Sequence, residues 1–187
     1  MGWKNDQVSE KETAKIIELA SSCLDLEGDY VEMGCYKGDT SLIIADILFS
    51  GSCRSRLYIY DSFEGLPEKT ELDESALGRD FKRGELGVTK REVKQRFLKA
   101  GLPVPVIKKA WFKDLKPEDL PEKIAFSFLD GDFYESIKDS LRLVAPKMAS
   151  GGVLVVHDYN NPALPGVSKA VDEFVAGKKF DFKIVLL

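Results

Sequence analysis

Among its 187 residues the chain has one histidine, three cysteines and no CxxC pair. Cys23, Cys35 and Cys53 are odd in number and widely spaced, so neither a disulfide framework nor a zinc site is suggested. That usage fits a reducing compartment. No segment approaches the roughly 20 apolar residues that span a bilayer. No basic start followed by an apolar run marks a signal peptide. A cytoplasmic location away from any membrane is therefore expected. Positive charge is not in excess either: 27 Lys and Arg stand against 31 Asp and Glu, a net charge of -4. A nucleic-acid surface is usually basic, so nucleic acid is not expected as the partner. Lys108, Lys109, Lys113 and Lys116 lie close together, but Asp114, Glu118 and Asp119 dilute them into a solvated face. Repeats, low-complexity tracts and a three-glycine GxGxxG fingerprint are also absent.

What the chain does have is alternation. Ser9 and Glu12 form a capping box ahead of Ile16, Ile17, Ala20, Cys23 and Leu24 at helical spacing. Residues 29–34 read as a strand, 39–49 as a helix and 56–60 as a strand ending at Asp61. Residues 64–87 are polar, glycine-bearing and aperiodic, the signature of a lid. Thr89 and Glu92 cap a helix with Val93, Phe97 and Ala100 on one face. Further strands are predicted at 104–108, 124–129, 152–156 and 182–187, with helices at 135–144 and 167–175. Strands alternating with helices, several of them continuously apolar, imply one α/β domain over residues 1–187. Its sheet is doubly wound and mostly parallel, with helices on both faces. Residues 1–27 form its N-terminal helical segment.

Two strand ends carry chemistry. The apolar strand from Ile124 runs into Asp130-Gly131-Asp132. If the chain stays extended, the two carboxylates point to the same side. Acids at the mouth of a buried strand are costly unless paired, hydrated or bound to metal. The segment Val31-Glu32-Met33-Gly34-Cys35-Tyr36-Lys37-Gly38-Asp39-Thr40-Ser41 is a strand, a glycine turn and a helix start. Its free amides suit a carboxylate or phosphate. Asp61, at the end of the second strand, is placed to accept ribose hydroxyls.

These blocks resemble one family. The glycine turn, then Tyr60-Asp61-Ser62-Phe63-Glu64-Gly65-Leu66-Pro67, then Leu129-Asp130-Gly131-Asp132-Phe133-Tyr134-Glu135-Ser136, then Gly151-Gly152-Val153-Leu154-Val155-Val156-His157-Asp158-Tyr159 occur in the order seen in macrocin O-methyltransferases. That TylF-like group lies within the class I S-adenosylmethionine-dependent methyltransferases. The resemblance covers about residues 28–174. It implies a class I Rossmann-like fold and methylation of a hydroxyl on a sugar or other small acceptor, with S-adenosylmethionine as donor. Magnesium, or manganese, is the metal it implies. Carried over, Gly34 with Glu32, Cys35, Tyr36, Gly38 and Thr40 holds the methionine part, and Ser41 bonds its carboxylate. Asp61, with Ser62 and Phe63, takes the ribose, and Ala110 and Trp111 border the adenine.

Asp130 borders the cofactor and, with His157 and Asp158, is the expected metal set. Asp132 is the expected base, and His157 is also a catalytic candidate. The family usually shows two acids where this chain has His157-Asp158. It also usually closes its sheet with two strands after the last helix, the final one antiparallel. Here only 182–187 follows, so that last strand is expected to be missing and a homodimer through the bare edge becomes plausible. Two other readings share the pattern: a non-catalytic adenosyl-nucleotide-binding module, and a nicotinamide-dependent oxidoreductase. The missing third glycine and the 27-residue distance from Gly34 to Asp61 weigh against the latter.

Overall fold

The computed structural model describes residues 7–77 and 80–187. The first six residues of the expected N-terminal segment, and Gly78 and Arg79 of the expected lid, lie outside the described residues. Six strands form one sheet: β1 (Asp29–Met33), β2 (Leu57–Asp61), β3 (Val106–Lys109), β4 (Ile124–Leu129), β5 (Met148–Val156) and β6 (Lys183–Leu186). Their order is β3-β2-β1-β4-β5-β6, and every neighbouring pair is parallel. Parallel neighbours need crossovers, supplied here by helices. The order reverses between β1 and β4, the switch point where open α/β sheets place their ligands. No antiparallel strand follows β6 among the described residues.

Two apolar layers hold the sheet. Alternate strand residues face opposite sides, so Tyr30, Ile59, Phe126 and Phe128 share one core with Ile16, Leu42, Val93 and Phe97. Those last four come from α1 (Glu10–Ser21), α2 (Asp39–Ser50) and α3 (Lys90–Ala100). Val31, Met33, Leu129, Leu154 and Val156 share the other core with Ile137, Leu141, Val167 and Val171, from α4 (Tyr134–Val144) and α5 (Pro165–Val175). All six residues of β4 are buried, as a strand covered on both sides must be. Both predicted capping boxes are present, at Ser9 with Glu12 and at Thr89 with Glu92.

Element ends differ from expectation by a few residues. β5 begins at Met148 rather than Gly152 because its first residues pair with the start of β4 before a register shift. α5 begins two residues early, with Pro165 in its first turn, where a missing N–H costs nothing.

The expected lid is anchored. Leu66 N–H donates to Glu85 O and Gly84 N–H to Leu66 O, joining its two arms. A short 3-10 turn, Glu71–Asp73, packs on α5. Asp73 is buried, accepting from Thr70 N–H and from Tyr134 N–H, the latter at 2.6 Å. A carboxylate 61 positions upstream thus caps α4. A Cβ on Gly166 would lie 2.0 Å from the Asp73 carboxylate, so only glycine lets α5 approach this closely.

Candidate active site

The carboxyl ends of β1, β2, β4 and β5 open onto one cleft of about 960 Å3, part of it open to solvent. Gly34 is at its floor. Its φ is +87°, and a Cβ there would meet Asp130 O at 2.0 Å, so β1 and β4 separate around a residue that must be glycine. The turn closes with Gly38 N–H donating to Cys35 O at 2.6 Å, and Gly38 starts α2 with no side-chain cap. Arg96 of α3 braces this turn, donating to Lys37 O at 2.6 Å and pairing with Asp39. Sequence reasoning missed Arg96 because its partners are 57 and 59 positions away.

Asp61 sits beside the turn. One carboxylate oxygen accepts from Cys35 N–H at 2.8 Å and Tyr36 N–H at 3.3 Å, and the other from Phe63 N–H at 2.7 Å. The acid therefore ties β2 to the glycine turn and keeps lone pairs toward the cleft. Gly34, Tyr36, Asp61, Ser62, Ala110 and Trp111 all line the cleft. So do Asp130, Asp132, His157 and Asp158.

Other expected cofactor residues stand behind the wall. Glu32 and Ser41 are fully buried and bonded to each other. Thr40 is buried in the first turn of α2, while Cys35, Gly38 and Phe63 act through backbone geometry. Burial pushes the Glu32 carboxyl up to about 8, with Asp130, Asp61 and Asp39 adding repulsion and only Ser41 opposing. Burial likewise raises the Cys35 thiol well above its usual value, leaving it inert.

The chain does not stay extended past Asp130. Asp132 turns into the left-handed region at φ +60°, so the simple alternation expected for the two acids does not hold. Both nevertheless reach the cleft. Asp130 continues β4, and His157 continues β5 beside it, with His157 N–H donating to Leu129 O at 3.0 Å. His157 Nδ1 lies 3.2 Å from Asp130 Oδ1 and 3.1 Å from Asp158 Oδ2. Asn161 donates to the other Asp158 oxygen at 2.8 Å. Among the described residues, Asp130, His157 and Asp158 form one group whose ligand atoms all lie within 4.8 Å of one another. Asp132 stands outside it.

The electrostatics match this crowding. Burial would lower the imidazole of His157, but the Asp130 and Asp158 carboxylates outweigh it and push it up to about 11. Burial would raise Asp158, yet hydrogen bonds from His157 and Asn161 hold it below its usual range. Asp132 is raised well above the usual carboxylate range by burial and by the charges of Asp130 and Asp158.

Leu66, Phe81 and Leu86 of the expected lid, with Asn161 and Leu164, also line the cleft. They sit on irregular segments with no periodicity to read. The hydroxyls of Tyr134 and Tyr159 donate to Glu173 and Asp172 of α5. Six non-glycine residues have positive φ among those described. Tyr36, Leu86, Asp132 and Asp158 line the cleft, and Phe63 adjoins it. Such backbone costs roughly 1–3 kcal/mol per residue and clusters where function requires it.

This sheet order, with a glycine turn, an acid at the end of β2 and a polar cluster at the ends of β4 and β5, is that of the class I methyltransferases. The family model described as macrocin-O-methyltransferase (TylF) matches residues 13–185, and the chain belongs to that family. One relative is the 8-demethyl-8-(2,3-dimethoxy-alpha-L-rhamnosyl)-tetracenomycin-C 4'-O-methyltransferase of Streptomyces olivaceus. It is 34% identical over 139 residues, covering 71% of this chain and 53% of that protein. Another is the demethyldecarbamoylnovobiocin O-methyltransferase of Streptomyces niveus, 32% identical over 84% of this chain and 61% of that protein. The chain thus spans between half and two thirds of these relatives' lengths. Among solved structures, the O-methyltransferase NovP superposes with a TM-score of 0.77 at 27% identity, covering 89% of this chain and 71% of that one. The calicheamicin methyltransferase CalS11 superposes at 0.72 with 20% identity over 91% of this chain and 72% of that one, a likeness of fold alone.

Proposed function

We propose that the chain is an S-adenosylmethionine-dependent O-methyltransferase whose acceptor is a hydroxyl of a sugar on a small molecule. The observation that carries this reading is the shared cleft: the glycine turn, Asp61 and the Asp130–His157–Asp158 group all open onto it. The sugar acceptor is supported by the Streptomyces olivaceus relative, which is named for a rhamnosyl-tetracenomycin substrate. Asp130, His157 and Asp158 would hold a divalent ion. Two carboxylates and an imidazole are a competent donor set, and Asn161 fixes the second oxygen of Asp158 from behind.

S-adenosylmethionine supplies an electrophilic methyl, and a divalent ion here supplies positive charge that makes a nearby hydroxyl more acidic. The rest is done by the chain's own groups. Gly34 and Tyr36, the residues of the glycine turn that line the cleft, hold the methionine part. Asp61 accepts ribose hydroxyls with the lone pairs left by its three amide donors. Ala110 and Trp111 border the adenine. Asp132, a stronger base than a free carboxylate, takes the acceptor proton onto its own oxygen. Leu66, Phe81 and Leu86 exclude water above the reacting atoms. Much of the rate enhancement then comes from positioning.

Thermal stabilisation by S-adenosylmethionine or its demethylated product, but not by NAD, tests this reading. No shift with either adenosyl ligand sinks it. Binding without turnover across a panel of glycosides favours a non-catalytic module instead. No helix among the described residues is long and apolar enough to cross a membrane. We also propose a homodimer through β6, which among the described residues pairs only with β5 and has Ile184, Val185 and Leu186 half-buried. Sedimentation of a monomer alone removes that part.

A further inference from the structure

We propose that His157, oriented from behind by Glu12 of α1, makes this a nitrogen-containing metal site that takes a first-row transition ion in preference to magnesium. The inference rests on the reading that Asp130, His157 and Asp158 hold a divalent ion.

The distances carry it first. His157 Nδ1 stands 3.2 and 3.1 Å from the facing oxygens of Asp130 and Asp158. Ligands at about 2.1–2.2 Å from a six-coordinate ion lie about 3.0–3.1 Å apart along an octahedral edge. These contacts are hydrogen bonds, and their lengths match that edge, so an ion that replaces the Nδ1 proton finds the nitrogen at ligand spacing beside each carboxylate.

The ring is also held in that pose. His157 is 5% exposed. Its backbone is paired to β4, and the Phe128 ring lies 5.8 Å away between centroids, at a tilt of 41°. Its other nitrogen, Nε2, faces Glu12 Oε1 at 4.0 Å, within ion-pair range though too long for a direct hydrogen bond. A ligating histidine commonly has a carboxylate behind its second nitrogen, which fixes the tautomer and strengthens the ligand. Glu12 fills that place from α1, while its second oxygen closes the helix-capping box on Ser9 at 2.6 and 3.0 Å. One side chain therefore ties the start of α1 to the cluster.

Donor chemistry then sets the choice of ion. Magnesium prefers oxygen ligands and gains little from imidazole, whereas first-row transition ions accept nitrogen and oxygen together.

Manganese(II) and magnesium are titrated by calorimetry into the full chain with S-adenosylhomocysteine bound, and the manganese form is examined by pulsed electron paramagnetic resonance. Expected are binding of manganese at least about tenfold tighter than magnesium, and a nitrogen-14 modulation from the imidazole. In His157→Asp the modulation vanishes and the two affinities converge. In Glu12→Gln, which keeps a capping-box partner and so the melting temperature, manganese affinity falls about 10-fold or more. Wild-type protein that binds both ions equally, with no nitrogen modulation, overturns the proposal and leaves the metal reading standing. Binding of neither ion removes the metal reading as well. An unchanged manganese affinity in Glu12→Gln removes Glu12 from the proposal. The wild-type measurements decide the main point even if His157→Asp does not fold.

Discussion

Replacing Glu32 by Gln should change how stability depends on pH. Glu32 is 1% exposed on the central strand, with Ser41 as its hydrogen-bond donor. Burial raises its carboxyl from an ordinary value of 4.5 to about 8, and the nearby acids Asp130, Asp61 and Asp39 reinforce the effect. Between those two values the folded chain keeps a proton that the unfolded chain has released. Stability from this group is therefore fully present below pH 4.5 and is lost as pH rises towards about 8. Each pH unit in the window is worth about 1.4 kcal/mol, so the whole span approaches about 5 kcal/mol as an upper bound. That is a large part of the roughly 5–15 kcal/mol that holds a typical domain folded. Gln keeps the shape and an oxygen for Ser41 but cannot ionise. Guanidinium unfolding followed by circular dichroism at several pH values from 5 to 8 is the assay. A chelator keeps cations from offsetting the repulsion near Asp130. The wild-type free energy should lose about 4 kcal/mol more than that of Glu32→Gln across this range. Parallel lines for the two proteins refute the argument, because Glu32 would then be ionised inside the fold.

Other substitutions probe the remaining parts. Asp132→Asn should lower turnover about 10²–10⁴-fold while calorimetric binding of S-adenosylhomocysteine persists, as expected for loss of a base; unchanged turnover removes Asp132 from that role. Gly34→Ala should cost at least about 3 kcal/mol in a chemical denaturation, since its new Cβ would press on Asp130 O at 2.0 Å. Arg96→Ala removes the brace on Lys37 O and Asp39, so cofactor affinity should fall several-fold by calorimetry with little change in the acceptor KM. Asp73→Ala leaves the buried Tyr134 N–H unsatisfied, a loss of about 1–3 kcal/mol, and should expose residues 64–77 to limited proteolysis.

The sheet was legible because its signals are local. Continuous apolar strands, two capping boxes and a glycine turn each lie within a dozen residues, and each matches an element of the fold. The cleft was partly legible for the same reason: Asp61, Asp130, His157 and Asp158 all stand at strand ends, where residue type alone suggests a role. Four features were beyond such reading. Arg96 and Asp73 act across 57 to 61 positions, and only the completed fold brings them to their partners. Glu12 looked fully explained as a capping residue, and nothing in its neighbours signals a second oxygen facing His157. The turn at Asp132 carries no local signal, because its left-handed backbone depends on contacts made by the completed fold.

That left-handed backbone also bears on how the site is maintained. Asp132 and Asp158 both have φ near +60°, three and two residues past the ends of buried strands. Neither residue is held there by local preference alone, and the strain must be supported by contacts formed elsewhere. For Asp132 the support is the capped start of α4, where Phe133 N–H donates to Gly131 O at 2.6 Å and Asp73 receives Tyr134 N–H. For Asp158 it is the following turn, with Asn161 N–H donating to Asp158 O at 3.1 Å and the Asn161 side chain donating to its carboxylate. The site's carboxylates are therefore aimed by the segments between strands and helices. It follows that loosening Asp73 should weaken catalysis through Asp132 without any change to a group that touches the substrate. The two effects separate in one comparison. Asp73→Asn retains an acceptor for Tyr134 N–H and should keep most turnover. Asp73→Ala should lose turnover in parallel with its loss of the α4 cap, and equal turnover in the two variants would show that Asp132 is aimed by something other than this capped turn.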